Sequence, residues 1–169
     1  GRRALLGAGS HEEFIAELAR FKDKEACIVF PTGYSANVGF ISALMRSGDT
    51  ILLDQYSHAS IVDGAILAKS KTVFFRHNNP LDLERKIAGV RGKKLVVVEG
   101  VYSMDGDMCA LPEILEVAKR HGARMLIDEA HFGGRRDFLT RARAATKLPA
   151  IAKGFLVDPY DVLEARSYG

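Results

Sequence analysis

Short β-branched runs alternate along this chain with longer stretches of helical periodicity, and that alternation narrows the folds open to it more than any other feature. The runs are Ala26–Phe30, Thr50–Asp54, Thr72–Phe75, Leu95–Val98 and Met125–Asp128. Before and between them the apolar spacing predicts helices over His11–Phe21, Tyr34–Met45, Ala59–Lys69, Leu81–Ala88 and Pro112–His121. Successive strands separated by a helix run parallel, since the helix carries the chain back to the starting edge of the sheet. The expected fold class is therefore α/β, a mainly parallel sheet with helices on both faces. Local punctuation agrees. Ser10 followed by Glu13 reads as a capping box, Pro112 suits a first helical position, and Gly48, Gly92 and Gly122 fall in the gaps after helices.

A length of 169 residues fits one domain with a real core, and 47% apolar with 27% charged residues is a soluble balance. The net charge of +3 is concentrated between Arg135 and Lys147, so no general polyanion-binding surface is expected and nucleic acid is excluded as a partner. The two cysteines, Cys27 and Cys109, read as small core residues rather than a disulfide or a metal site. No apolar run approaches the roughly 18 residues of a membrane span, and no charged-then-apolar leader opens the chain, which makes a cytoplasmic location the expectation. The first residue is Gly1 rather than Met, as in a piece of a longer protein. The α/β rhythm breaks after Gly134: Arg135–Thr146 is basic and alanine-rich, and the remainder offers one apolar run and one short helical pattern. Residues 1–134 are thus read as one unit and 135–169 as a divergent basic tail.

In a sheet of this kind ligands bind beyond the carboxyl ends of the strands, so the strand ends can be read in turn. After the first comes PTGYSAN, where Gly33 opens a helix whose first amides lack intrahelical acceptors and Thr32 adds a hydroxyl, an arrangement suited to phosphate as well as to a plain N-cap. After the second, His58 in SHASIVDG stands at a helix start, where an imidazole can stack on a flat ligand or simply cap. After the fourth, EGVYSMDGD is polar and glycine-punctuated, with Asp105-Gly106 as a turn. The fifth delivers Asp128 and His131, and a carboxylate there can hold a protonated ring nitrogen. Together these describe a pocket for a planar, phosphorylated, cationic heterocycle. Pyridoxal phosphate meets that description.

The motifs PTGYSAN, SHASIVDG, EGVYSMDGD, LPEI and DEAH, in this order, resemble the α-oxoamine synthase family of fold-type-I pyridoxal-phosphate enzymes, over about residues 1–134. That family includes 8-amino-7-oxononanoate synthase, 2-amino-3-ketobutyrate CoA ligase, 5-aminolevulinate synthase and serine palmitoyltransferase. The resemblance implies part of the large domain of such a transferase, a homodimer with its site at the subunit interface, and decarboxylating condensation of an amino acid with an acyl thioester. It also implies roles for residues. Gly33 and Tyr34 would lie at the cofactor near its phosphate, His58 would stack on the ring, and Ser103 would contact the cofactor. Asp128 would pair with the pyridine nitrogen and His131 with the phenolic oxygen, which makes His58, Asp128 and His131 the candidate catalytic set. The family continues past DEAH to a Ser/Thr-Xaa-Ser-Lys motif whose lysine holds the cofactor covalently. Here the nearest candidate is Lys153, in AIAKG, with alanine in place of the hydroxyl; Lys147 fits worse. Two further readings follow from that departure: a non-catalytic partner subunit, and a truncated or frame-altered product.

Overall fold

The computed structural model describes residues 8–21, 25–129 and 151–152. In chain order the elements are α1 (Ala8–Phe21), α2 (Gly33–Leu44), β1 (Thr50–Asp54), α3 (Ala59–Leu67), β2 (Lys71–Phe75), α4 (Pro80–Ile87), β3 (Lys94–Glu99), α5 (Leu111–Arg120), β4 (Arg124–Glu129) and β5 (Ile151–Ala152). The strands form one sheet in the order β2-β1-β3-β4-β5, and every ladder is parallel. The chain steps outward from β1 to β2, then returns past β1 to β3 and continues to β4. Crossovers of one hand in opposite directions put their helices on opposite faces. A crevice therefore opens at the carboxyl edge between β1 and β3, where the direction of winding reverses.

Alternation along each strand divides the core in two. Ile51, Leu53, Leu95, Val97 and Leu126 pack with Ile41 of α2, with Met45 at its C-cap, and with Ile61 and Ala65 of α3. Leu52, Val96, Val98, Met125 and Ile127 point the other way, onto Leu83 and Ile87 of α4 and Ile114 and Leu115 of α5. Each of these Val, Leu, Ile and Met side chains, fully buried, contributes roughly 1.5–3 kcal/mol of transfer free energy. Two-sided burial is why these strands read as continuous apolar runs.

Local chemistry sets the helix starts. Thr32 caps α2, its Oγ1 accepting from the Ser35 amide at 3.0 Å while Ser35 Oγ accepts from the Thr32 amide at 3.2 Å. Asn79 caps α4 by accepting from the Asp82 amide at 2.9 Å, with Pro80 as the first helical residue. After α5 the chain turns at Gly122, whose φ of +61° is the left-handed region that glycine enters freely.

Two expectations are corrected. Ala26–Phe30 is not a strand: among the described residues it joins no ladder, and Ile28 is 79% exposed. β-branched composition favours an extended chain, but a strand exists only where a neighbour completes its hydrogen bonds. Phe30 instead lies across α2, where a Cβ on Gly39 would stand 2.7 Å from its ring. Nor does Ser10 begin a helix, because α1 starts at Ala8 and Ser10 lies within it. The proposed division at residue 134 and the tail fall outside the described residues, apart from Ile151 and Ala152.

Candidate functional site at the carboxyl edge

Three strands end in acids, and strand parity sorts them. Asp54 shares its face with Leu52 and so turns toward α4 and α5. Glu99 shares the face of Leu95 and Val97, and Asp128 that of Leu126, so both turn toward α2 and α3. All three are buried, at 0%, 2% and 1% exposure. The sheet edge therefore carries two polar clusters on opposite faces.

The first joins Asp128 to His58. Asn37, one turn into α2, donates from Nδ2 to Asp128 Oδ2 at 2.7 Å and to Ser60 Oγ at 2.9 Å. Ser60 Oγ lies 2.7 Å from His58 Nδ1, which also accepts from the Ser60 amide at 3.2 Å. His58 is the N-cap of α3, and its own amide donates to Glu99 Oε1 across the β1–β3 crevice. Helices α2 and α3 meet closely enough for this because Gly64 has no side chain: a Cβ there would stand 3.1 Å from Ile41 Cβ and 3.3 Å from the Asn37 carbonyl oxygen. Ser60 and Gly64 occupy one face of α3, as Asn37 and Ile41 do of α2.

Gly33 and Tyr34 open α2, the helix that carries Asn37, and their amides are among those that a helix start leaves without intrahelical acceptors. Thr32 Oγ1 is engaged in the cap. Tyr34 is half-exposed, and its hydroxyl donates to Asp63 Oδ2 on α3, a contact that raises the phenol's pKa. Ser103 lies on the exposed turn after β3, within a loop closed by Gly106 N donating to the Tyr102 carbonyl at 2.8 Å. His131, Lys147 and Lys153 lie outside the described residues. Strand β5 pairs Ile151 with Asp128 and Ala152 with Glu129. The structure thus brings His58, Asp128 and the start of α2 together on one face, with Ser103 beyond the same sheet edge.

The second cluster surrounds Asp54. Its Oδ1 accepts from the Tyr56 amide and lies 2.8 Å from His77 Nδ1; its Oδ2 accepts from the Asn78 amide at 2.7 Å and the Tyr102 hydroxyl at 3.0 Å. The other His77 nitrogen lies 3.1 Å from Asp107 Oδ2. Ionised carboxylates only accept, so both ring nitrogens must carry protons to satisfy them. Burial opposes that charge, but the bonds and fields of Asp54 and Asp107 outweigh it, and the His77 pKa is raised. The ring stacks on Tyr56 at 4.2 Å and meets Tyr102 edge-on at 4.5 Å. Asn78, at a left-handed φ of 49°, ties this loop to the 107–110 segment by donating to Asp107 and Met108 O and accepting from the Ala110 amide at 2.7 Å. Burial pushes the Tyr102 phenol up strongly, and the Cys109 thiol up to about 12. This cluster braces the loops and leaves Cys109 inert. Among the described residues, no cluster of three or more His, Cys, Asp and Glu is placed to hold a metal ion.

Asn37, Ser60, Glu99 and His77 were not singled out from the sequence. Asn37 carried a usable sign, a polar residue four positions before Ile41 on an otherwise apolar helix face, where an unpaired amide is disfavoured.

Comparison with known proteins follows the same lines. Residues 1–168 match the family described as aminotransferase class I and II. An 8-amino-7-oxononanoate synthase of Lysinibacillus sphaericus is 50% identical over 126 residues, 73% of this chain and 32% of that protein. A serine palmitoyltransferase of Caulobacter vibrioides is 46% identical over 128 residues, 74% of this chain and 32% of that one. Among solved structures, the serine palmitoyltransferase of Sphingomonas wittichii superposes with a TM-score of 0.74 at 42% identity, covering 84% of this chain and 38% of that one. A serine palmitoyltransferase from S. paucimobilis, solved with a PLP–myriocin aldimine, superposes at 0.66 with 47% identity, covering 72% of this chain and 31% of that one. This chain spans about a third of the length of these relatives.

Proposed function

Because this chain belongs to the aminotransferase class I and II family, we propose that its carboxyl edge is part of a pyridoxal 5′-phosphate site in an acyltransferase that condenses an amino acid with an acyl thioester and releases carbon dioxide. The observation that carries this reading is Asp128, a buried carboxylate at a strand end, held by an amide donor on the helix whose N-terminus opens beside it. A buried acid is costly without a cationic or hydrogen-bonding partner, and a protonated pyridine nitrogen is such a partner. The residues fit the cofactor in kind: amides of Gly33 and Tyr34 for phosphate, a flat imidazole at His58, a hydroxyl at Ser103 and the acid at Asp128. His131 would bond the phenolic oxygen.

When bound, the cofactor supplies an electron sink for a carbanion. Asp128 would keep a proton on the ring nitrogen, His58 would bound one face of the ring, and the start of α2 would hold the phosphate. The reading carries with it a homodimer, with the partner copy completing the site, and a cytoplasmic location. No helix among the described residues is long and apolar enough to cross a membrane.

The test is titration of the chain with pyridoxal phosphate, followed by absorbance, borohydride reduction and peptide mapping. We expect weak, saturable binding that Asp128→Ala abolishes. Binding that never saturates, or is indifferent to Asp128, would sink the proposal. Reductive fixation of the cofactor on Lys153 would identify that residue as the covalent lysine.

A further inference from the structure

We propose that Asn37 is a positioning residue that locks Asp128 and His58 into one hydrogen-bonded unit, Asp128–Asn37–Ser60–His58, whose donor directions hold His58 as the neutral tautomer with its proton on Nε2. The argument starts at the carboxylate. An ionised Asp128 can only accept, so Asn37 must turn its amide nitrogen, not its oxygen, toward it. That orientation is held although it leaves Asn37 Oδ1 buried with no partner among the described residues, which a reversed amide would relieve only by setting oxygen against carboxylate oxygen. The second hydrogen on Asn37 Nδ2 then goes to Ser60 Oγ, 2.9 Å away. With its oxygen accepting from Asn37, the Ser60 hydroxyl proton is free to point at His58 Nδ1, 2.7 Å away. The Ser60 amide donates to the same nitrogen. Nδ1 is thus an acceptor twice over, and the ring proton belongs on Nε2.

The unit spans β1 to β4 across the intervening β3, so it sets the distance between an acid and a ring that no backbone ladder joins directly. Its use to a ligand rests on the cofactor reading above: a neutral imidazole can lie against a cationic pyridinium without repulsion, whereas an imidazolium would oppose it. The unit itself can be tested without any cofactor, so its failure and the failure of that reading are separable.

The experiment is long-range proton–nitrogen NMR of the full chain, labelled with nitrogen-15, with the His58 ring identified by His58→Gln. In the unsubstituted chain the neutral ring should show on Nδ1 the shift of an unprotonated acceptor and on Nε2 that of a protonated nitrogen. In Asn37→Ala and Ser60→Ala the tautomer ratio should fall by about fivefold, the worth of one net hydrogen bond. Backbone amide shifts of β1, β3 and β4 should stay in place. A ring protonated on Nδ1, or an equal mixture, in the unsubstituted chain overturns the proposal, and that measurement stands even if both variants fail to fold. Variants that fold and leave the ratio unchanged also overturn it.

Discussion

The strongest test of the packing argument is His77, because one ring joins two carboxylates and two loops. In the folded chain Asp54 is fully buried and Asp107 partly so, and each accepts from one ring nitrogen of His77. Replacing the ring by glutamine keeps one amide that can donate but removes the charge and the second bond. A hydrogen bond to a charged group is worth about 1.5–3 kcal/mol, so His77→Gln should lower stability by about 2 kcal/mol where the ring is protonated. The pH dependence has a definite sign. The folded pKa is raised above the ordinary value, so the charged contribution is fully present below the unfolded pKa and is lost as pH rises through the folded pKa. Urea melts of both versions at about pH 5.5 and about pH 8.5, either side of the ordinary histidine value of ~6.5, give the difference. The destabilisation should be larger at the acid pH by about 1 kcal/mol or more. Equal losses at both pH values, or a larger loss at the alkaline one, would refute the claim that a charged ring bridges the two acids.

Gly64→Ala sets two effects against each other: alanine favours a helix by about 1 kcal/mol, and overpacking costs about 1–3 kcal/mol. With a Cβ 3.1 Å from Ile41 Cβ and 3.3 Å from a backbone oxygen, overpacking should win by about 1 kcal/mol in denaturant melts, whereas a gain in stability would mean that α2 and α3 separate easily. Cys109 is buried with a thiol pKa of about 12, so iodoacetamide should modify half-buried Cys27 in the folded chain and reach Cys109 only after unfolding. Fast double modification of the folded chain would contradict the burial. Asp128→Asn keeps an oxygen for Asn37 Nδ2 while removing the charge, so pyridoxal phosphate affinity should drop by about tenfold, or ~1.4 kcal/mol, with little change in the Tm of the apo-protein. A large Tm loss with unchanged affinity would make Asp128 a structural acid.

Periodicity determined a great deal on its own. The extent of β1 was legible residue for residue, and β2, β3 and β4 to within one residue at each end, because two-sided burial writes a strand as a continuous apolar run. Parallel winding followed from the helical spacers, and the ordered motifs carried the family resemblance. The sequence alone also placed His58, Ser103 and Asp128 at or just after strand ends, since a parallel sheet brings those ends to one edge, whereas the strand expected before Gly33 and Tyr34 is not there. Ala26–Phe30 shows where this stops. Its residues have the composition of a strand, but composition does not supply the neighbour that a ladder needs.

The tertiary structure alone decided which groups meet. Asn37 reaches an acid 91 residues away, His58 an acid 41 away, and His77 stands between acids 23 and 30 positions off. Period-two alternation places Asp54 opposite Leu53 in sense but does not say which helices cover that face, nor which strand lies beside which. Strand order and crossover direction settle both, and they arise from loop closure and the burial of whole faces, not from local spacing. A buried amide such as Asn37 has meaning only once the group it must satisfy has been brought beside it.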